Sequence, residues 1–197
     1  MDILIETSAR HIHLNKETLE LLCGKDFKLT PVKKLSQPGY FVSQLRLEIV
    51  GPKKSIKNVS VLGPLRKENQ IEISITDAIN LGIKPPIRES GNTKGSSPIK
   101  IIEPTKNKEI NLKEGVIIAK RHIHMNSKNA KKENLKDGDI VKVKINSQER
   151  SIIFGDVIIR VNDNFSTCMH IDTDESNAAN ISNNNKTYGE IIKYENN

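Results

Sequence analysis

Residues 9–15 read ARHIHLN, and residues 120–126 read KRHIHMN. The first histidines of the two segments, His11 and His122, are 111 residues apart, and each segment follows an apolar stretch. A repeated element in matched surroundings indicates two related halves of the chain.

Short runs of alternating apolar residues fill much of the remaining chain. Residues 45–49 (LRLEI), 71–75 (IEISI) and 140–145 (IVKVKI) place an aliphatic side chain at every second position, which is the pattern of a half-buried strand. Many short strands with few helices are typical of small barrels. We therefore predict a mainly β fold.

Helix signals are brief. Asn15 is placed to cap a helix that runs to Cys23, with Gly24 as its stop. Asp174 is predicted to cap a short helix through Ala179, and residues 190–194 are predicted to form an edge strand.

Composition excludes several classes of protein. The chain of 197 residues carries a net charge of +7, but its lysines are scattered, aromatic residues make up 4% and tryptophan is absent, so no nucleic-acid partner is expected. No apolar run approaches the roughly 20 residues of a membrane helix, and no membrane partner is expected. Two cysteines cannot build a disulfide framework, and the start lacks a signal-peptide layout, so a cytoplasmic location is predicted.

Four of the five histidines lie in the two His-x-His elements. On a strand, residues two apart point to the same face, so His11 with His13, and His122 with His124, each present two imidazoles together. Paired imidazoles suit two ligands of one zinc ion. The sequence therefore predicts two metal sites.

A third ligand for each site can also be named. His170 lies in residues 168–172 (CMHID), where Cys168 would share its face on a strand, and Glu72 lies on the polar side of an apolar strand. The Cys168 thiolate could be a fourth ligand, but a buried spectator is the favoured interpretation. A metal with an open coordination position would support catalysis, whereas a metal with all positions filled by protein ligands would be structural.

An anion site is predicted beside these ligands. Arg66 follows the turn Gly63-Pro64 just before the strand that bears Glu72, and a guanidinium there could hold phosphate bidentately. Ser90 lies in the long loop 85–98, which has no periodicity, and completes the predicted site.

Six segments together resemble the PduL-type phosphate acyltransferases, over nearly the whole chain. They are SARHIHLN, SQPG, VLGPLRKENQIEIS, PPIRESG, LKEGVIIAKRHIHM and MHIDTDESNAA. The resemblance implies two small β-barrels with short capping helices, interleaved in sequence, with the active site between them. Residues 1–9 with 120–197 would form one barrel, and residues 10–119 the other.

The resemblance also implies an activity and its residues. The reaction would be reversible transfer of a short acyl group (acetyl or propanoyl) between coenzyme A, a substrate, and inorganic phosphate. The resemblance further implies two zinc ions per chain and a homodimer. Carried over by position, the zinc ligands are His11, His13, Glu72, His122, His124 and His170. Arg66 matches the phosphate-binding arginine, and Ser90 matches a loop serine near the phosphate.

Two departures from the family pattern matter. Members tend to have an acidic residue at the position of Cys168, so Cys168 is not expected to be an essential ligand. Members enclosed in bacterial microcompartments carry a longer N-terminal extension, whereas only ten residues precede His11, which favours a free cytoplasmic form. The residues alone leave open a cupin-like metal-dependent hydrolase or oxygenase, and a metal-stabilised binding module.

Overall fold

The computed structural model describes residues 1–181 and 186–194. The strands are β1 (Asp2–Thr7), β2 (His11–His13), β3 (Pro31–Lys34), β4 (Phe41–Val50), β5 (Ser55–Gly63), β6 (Gln70–Glu72), β7 (Ile87–Arg88), β8 (Ser97–Glu103), β9 (Lys108–Ala119), β10 (His122–Met125), β11 (Ile140–Ile145), β12 (Ile152–Val161), β13 (Cys168–Ile171) and β14 (Thr187–Lys193). The helices are α1 (Lys16–Cys23), α2 (Ile75–Leu81), α3 (Ser127–Lys132) and α4 (Thr173–Ala178). The fold is mainly β, as predicted.

The chain divides into two compact units. Residues 10–119 form one, called here the central unit, and residues 1–9 with 120–197 form the other, called here the terminal unit. Each His-x-His strand therefore belongs to a different unit from the strand that precedes it in sequence. β1 lies in the terminal unit and β2 in the central unit, whereas β9 lies in the central unit and β10 in the terminal unit.

The central unit contains a closed ring of six strands. Its order is β4-β5-β2-β6-β9-β8, and β8 pairs back onto β4. β3 attaches to β4, and β7 pairs with β9. β2 runs parallel to β5 and antiparallel to β6, which places His11 opposite Glu72.

The terminal unit is a closed barrel of six strands with the same pairing scheme. Its order is β1-β13-β10-β12-β11-β14. β10 runs parallel to β12 and antiparallel to β13, which places His122 opposite His170. The two related halves predicted from the repeated segments thus form two six-stranded barrels of equivalent connectivity.

Each barrel has its own apolar core, and the His-x-His strands line it with their central isoleucine. Ile12 lies opposite Ile71 in the central unit, and Ile123 lies opposite Met169 in the terminal unit; all four are fully buried. Burying one such side chain stabilises a fold by about 1.5–3 kcal/mol. Because neighbouring strand residues alternate faces, the histidines lie on the face opposite the core.

The caps of α1 agree with the sequence, whereas the cap predicted for α4 was wrong. The Asn15 side chain accepts a hydrogen bond from the Thr18 amide at 2.8 Å, and Gly24 ends α1 with a φ of 97°. Asp172, not Asp174, caps α4, and it forms a reciprocal capping box with Glu175. In a capping box, the N-cap side chain accepts a hydrogen bond from the backbone amide three residues later, and the side chain of that later residue accepts from the N-cap amide. A run of acidic residues therefore contains several positions at which a helix could begin.

The C-terminal strand also differs from the prediction. β14 begins at Thr187 and pairs with both β1 and β11, so it closes the barrel of the terminal unit and is not an edge strand. Within the described ranges, no helix has the length and apolar character needed to span a membrane.

Candidate metal centres

The first candidate centre lies in the central unit and contains His11, His13 and Glu72. β2 supplies both histidines and β6 supplies the carboxylate, and one ligand atom from each lies within 4.8 Å of the others. The His11 Nε2 is 3.6 Å from the Glu72 Oε2. Two ligand atoms on one tetrahedral zinc ion, with bonds of about 2.0–2.1 Å, lie about 3.4 Å apart, so these residues fit zinc.

The Glu72 carboxylate is held by its other oxygen. Its Oε1 accepts hydrogen bonds from the Gln70 side-chain amide at 2.6 Å and from the Ser90 hydroxyl at 2.8 Å. The Gln70 amide oxygen in turn accepts from the Gly91 backbone N–H at 2.7 Å. Residues 89–96, between β7 and β8, therefore fix the orientation of Glu72 and leave Oε2 on the side of His11. The loop predicted over residues 85–98 was too long, since it includes β7 and the start of β8.

Arg66 lies beside the same centre. Its Nη1 donates to the Ser90 Oγ at 3.1 Å, and its backbone N–H donates to the Leu14 carbonyl at 2.9 Å, just beyond β2. The structure thus brings Arg66, Ser90 and Glu72 into one hydrogen-bonded chain. A half-buried guanidinium next to a candidate metal ligand can hold an anion there.

Burial controls the charge of this centre. Burial, aided by the positive charges of His11 and Arg66, lowers the pKa of His13 to about 2. Burial alone would raise the pKa of Glu72, but the charge and hydrogen bond of His11 hold it well below its ordinary range. Among the residues that the structure describes, none hydrogen-bonds to the buried His13 Nδ1. A neutral, buried imidazole beside a carboxylate can coordinate a cation.

The second candidate centre lies in the terminal unit and contains His122, His124 and His170. The three ligand atoms again lie within 4.8 Å of one another. The His122 Nδ1 donates to the Lys120 carbonyl at 2.8 Å, and the His122 Nε2 lies 3.3 Å from the His170 Nδ1. Three imidazole nitrogens suit zinc better than magnesium or calcium, which prefer oxygen ligands.

The far side of His170 faces Glu6 and Cys168. The His170 Nε2 lies 3.0 Å from the Glu6 Oε2 and 3.4 Å from the Cys168 Sγ. Burial would lower the pKa of His170, but the hydrogen bonds to Cys168 and Glu6 raise it to about 9. Glu6, Cys168 and His170 form a further group that could hold a cation.

Each candidate centre is adjoined by an arginine bound to a helix cap. Arg10, just before His11, binds Asp77 of the α2 capping box at 2.8 Å. Arg121, just before His122, binds Glu175 of the α4 capping box at 2.9 Å. These ion pairs tie the start of each His-x-His strand to the helix that follows the strand with the third ligand.

Sequence reasoning missed two residues. Gln70 precedes Glu72 by two positions, so strand alternation alone could have placed it on the same face. Glu6 meets His170 because β1 pairs in parallel with β13, with Glu6 opposite His170. No local pattern signals that pairing.

Comparison with known proteins gives the chemistry. A family model described as phosphate propanoyltransferase matches residues 4–182. The chain is 52% identical over 177 residues to a phosphate propanoyltransferase of Thermotoga maritima, covering 90% of this chain and 83% of that protein. It is 49% identical over 191 residues to one of Clostridioides difficile, covering 97% and 89%.

These matches favour acyl transfer over a hydrolase, an oxygenase or a purely structural metal protein. They cover both candidate centres, Arg66 and Ser90. The chain belongs to the phosphate propanoyltransferase family and is a phosphate acyltransferase.

Proposed function

We propose that the chain transfers an acetyl or propanoyl group reversibly between coenzyme A and inorganic phosphate, with two bound zinc ions and in a direct ternary complex. A phosphate oxygen attacks the thioester carbonyl carbon, the new C–O bond forms, the C–S bond breaks, and coenzyme A leaves as its thiolate. The relatives are named phosphate propanoyltransferases, which supports propanoyl-CoA as one substrate.

Six residues would hold the metal. His11, His13 and Glu72 would bind one zinc ion, and a second would be bound by His122, His124 and His170. A bound zinc ion supplies positive charge that polarises an oxygen and favours a thiolate over a thiol.

Arg66 would bind the phosphate. A guanidinium can make two parallel hydrogen bonds to a phosphate, which fixes both its position and its orientation. The Ser90 hydroxyl, already bonded to Arg66, would support that position and contribute to phosphate binding. Holding reacting atoms about 3–3.5 Å apart lowers the activation free energy by up to roughly 7–11 kcal/mol.

The observation that carries the proposal is the hydrogen-bonded chain from Arg66 through Ser90 to Glu72. It joins an anion-binding group to a candidate zinc ligand. Phosphate bound by this arginine would therefore lie close to the first candidate centre.

A thiol nucleophile is not part of the proposal. Cys23 and Cys168 are both buried. Burial, aided by the negative charge of Glu103, raises the pKa of Cys23 to about 11, so this thiol is protonated at neutral pH. Direct transfer needs no acyl-enzyme.

The test is an assay of coenzyme A release from acetyl-, propanoyl- and butanoyl-CoA with phosphate, with and without a chelator. We expect turnover of the two shorter substrates, loss of turnover with the chelator and recovery on adding zinc. Initial rates measured at several concentrations of both substrates should give intersecting lines. Parallel lines, together with exchange of labelled phosphate into acyl phosphate without coenzyme A, would indicate an acyl-enzyme and contradict the ternary complex.

The proposal includes a homodimer, which the family resemblance implies. Light scattering on the purified chain measures the mass directly. A mass of about twice 22.1 kDa is expected, and a monomeric mass for an active sample would contradict the dimer.

A further inference from the structure

His170 lies between two groups, and each of its ring nitrogens faces a different one. The Nδ1 faces the His122 Nε2 at 3.3 Å, whereas the Nε2 faces the Glu6 carboxylate at 3.0 Å. A cation on the Nδ1 side would be bound by the three histidines. A cation on the Nε2 side would be bound by Glu6, Cys168 and His170.

Hydrogen bonds fix where the ring protons lie. The Lys120 carbonyl can only accept, so the His122 Nδ1 carries a proton and its Nε2 presents a lone pair. The Glu6 carboxylate can only accept, so the His170 Nε2 carries a proton and the Nδ1 is the nitrogen left to face His122. The His170 Nδ1 can donate a proton to the His122 Nε2 at 3.3 Å, and a bound cation would take the place of that proton.

The His122 Nε2 and the His170 Nδ1 are spaced as two ligands of one ion would be. The separation is close to the roughly 3.3–3.4 Å expected for two nitrogen ligands of one tetrahedral zinc ion. A histidine ligand generally donates its other ring N–H to a carboxylate or carbonyl, which sets its orientation. Lys120 plays this part for His122 through its carbonyl, and Glu6 is placed to play it for His170.

We propose that Glu6 is a positioning residue for the second centre: its carboxylate orients His170 so that the Nδ1 faces the metal. This inference rests on the proposed zinc-dependent function and concerns one of its two centres. It assigns the metal to the His122 side and leaves Cys168 outside the ligand set.

The central unit supports the assignment by contrast. Glu72 occupies the register position that His170 occupies in the terminal unit, and it is a carboxylate ligand itself. The strand beside it places Ile117 opposite Glu72, where β1 places Glu6 opposite His170. Each candidate centre thus has one carboxylate. In the central unit it would contact the metal itself, and in the terminal unit it would act on the metal through its hydrogen bond to His170.

The test is zinc competition against a chromophoric chelator, using the full chain and three variants. Glu6→Ala removes the acceptor, Glu6→Gln keeps an acceptor oxygen without the charge, and Asp2→Asn removes an exposed carboxylate from the same strand as a matched control. Circular dichroism checks that each variant is folded.

We expect Glu6→Ala to weaken the binding of one zinc ion about 10–100-fold and to leave the other unchanged. Glu6→Gln should weaken it less, and Asp2→Asn should bind like the wild type. If Glu6→Ala bound two ions with wild-type affinity, the role of Glu6 would be overturned, and the proposed function would be unaffected. A wild-type chain that binds no zinc would contradict the proposed function as well.

Cobalt substitution decides between the two sides of His170. We expect a cobalt spectrum without a thiolate charge-transfer band, unchanged by Cys168→Ser. A thiolate band in the wild type that disappears in Cys168→Ser would place the ion with Glu6, Cys168 and His170, and would overturn the assignment.

Discussion

Glu72 and His170 occupy the same register position in two barrels of equivalent connectivity. Glu72 lies opposite His11 on β6, and His170 lies opposite His122 on β13. The two halves therefore present the same arrangement of side chains with one change of ligand type, a carboxylate in place of an imidazole. A carboxylate neutralises one charge of a bound zinc ion directly, so the two ions would differ in their remaining positive charge.

Replacing Arg66 with alanine tests the phosphate site. Loss of the guanidinium removes a group that binds the attacking phosphate and stabilises its charge, so kcat/KM for phosphate should fall by about 10²–10³. Steady-state assays with phosphate varied measure the change. Lys67→Ala, which removes an exposed positive charge from the adjacent position, is the matched control and should remain near wild type. Equal losses in both variants would argue for a general charge effect.

Replacing one histidine in each unit tests whether the two centres bind metal independently. His11→Ala should reduce the zinc content by about one ion per chain, His122→Ala should do the same, and the double variant should bind none. Elemental analysis of dialysed samples measures the content. If either single variant lost both ions, the two centres would not be independent.

Replacing both cysteines tests the absence of a thiol nucleophile. A chain with Cys23→Ser and Cys168→Ser should keep its zinc and most of its turnover, because neither thiol takes part in the proposed reaction. The substitutions remove two buried thiols, so thermal unfolding should be recorded beside the kinetics. A stable double variant with zinc bound but without turnover would restore a role for a thiol.

Glu175 gives the fold a pH dependence. Burial raises its pKa from 4.5 to about 7, although Arg121 opposes the shift. A carboxyl whose folded pKa is raised binds its proton more tightly when folded, so its contribution to stability is full below about pH 4.5 and is lost as the pH rises through about 7.

Urea unfolding of chelator-treated wild type and Glu175→Gln measures this contribution. The free energy of unfolding of the wild type, relative to the variant, should fall by on the order of 3 kcal/mol between pH 4.5 and pH 7.5. A difference that stays constant over this range would mean that the Arg121 ion pair offsets the cost of burial.

Local patterns predicted most of the strands and the ligand faces, because those depend on neighbours in sequence. The strand pattern over residues 71–75 was wrong beyond Glu72, since Ser74 caps α2 and Ile75 begins it. Alternation placed His11 and His13 on one face, as the structure has them, and Ile12 between them lies in the core. The α1 caps were also predicted, since Asn15 and Gly24 act within one turn of the helix.

Pairing between distant strands was not predictable in the same way. The contact of Glu6 with His170 joins residues 164 positions apart, and β14 is an interior strand only because β1 and β11 flank it. Such contacts are set by barrel closure, which no short window of sequence records. The prediction of the α4 cap was wrong for a different reason: Asp172 and Asp174 are both good capping residues.

Zinc content and turnover measured on the same samples test the central claim most directly. The apo chain is titrated with zinc, and release of coenzyme A from propanoyl-CoA and phosphate is recorded at each step. We expect no turnover without metal and full turnover at about two ions per chain. Full turnover in a sample with no bound metal would contradict the claim.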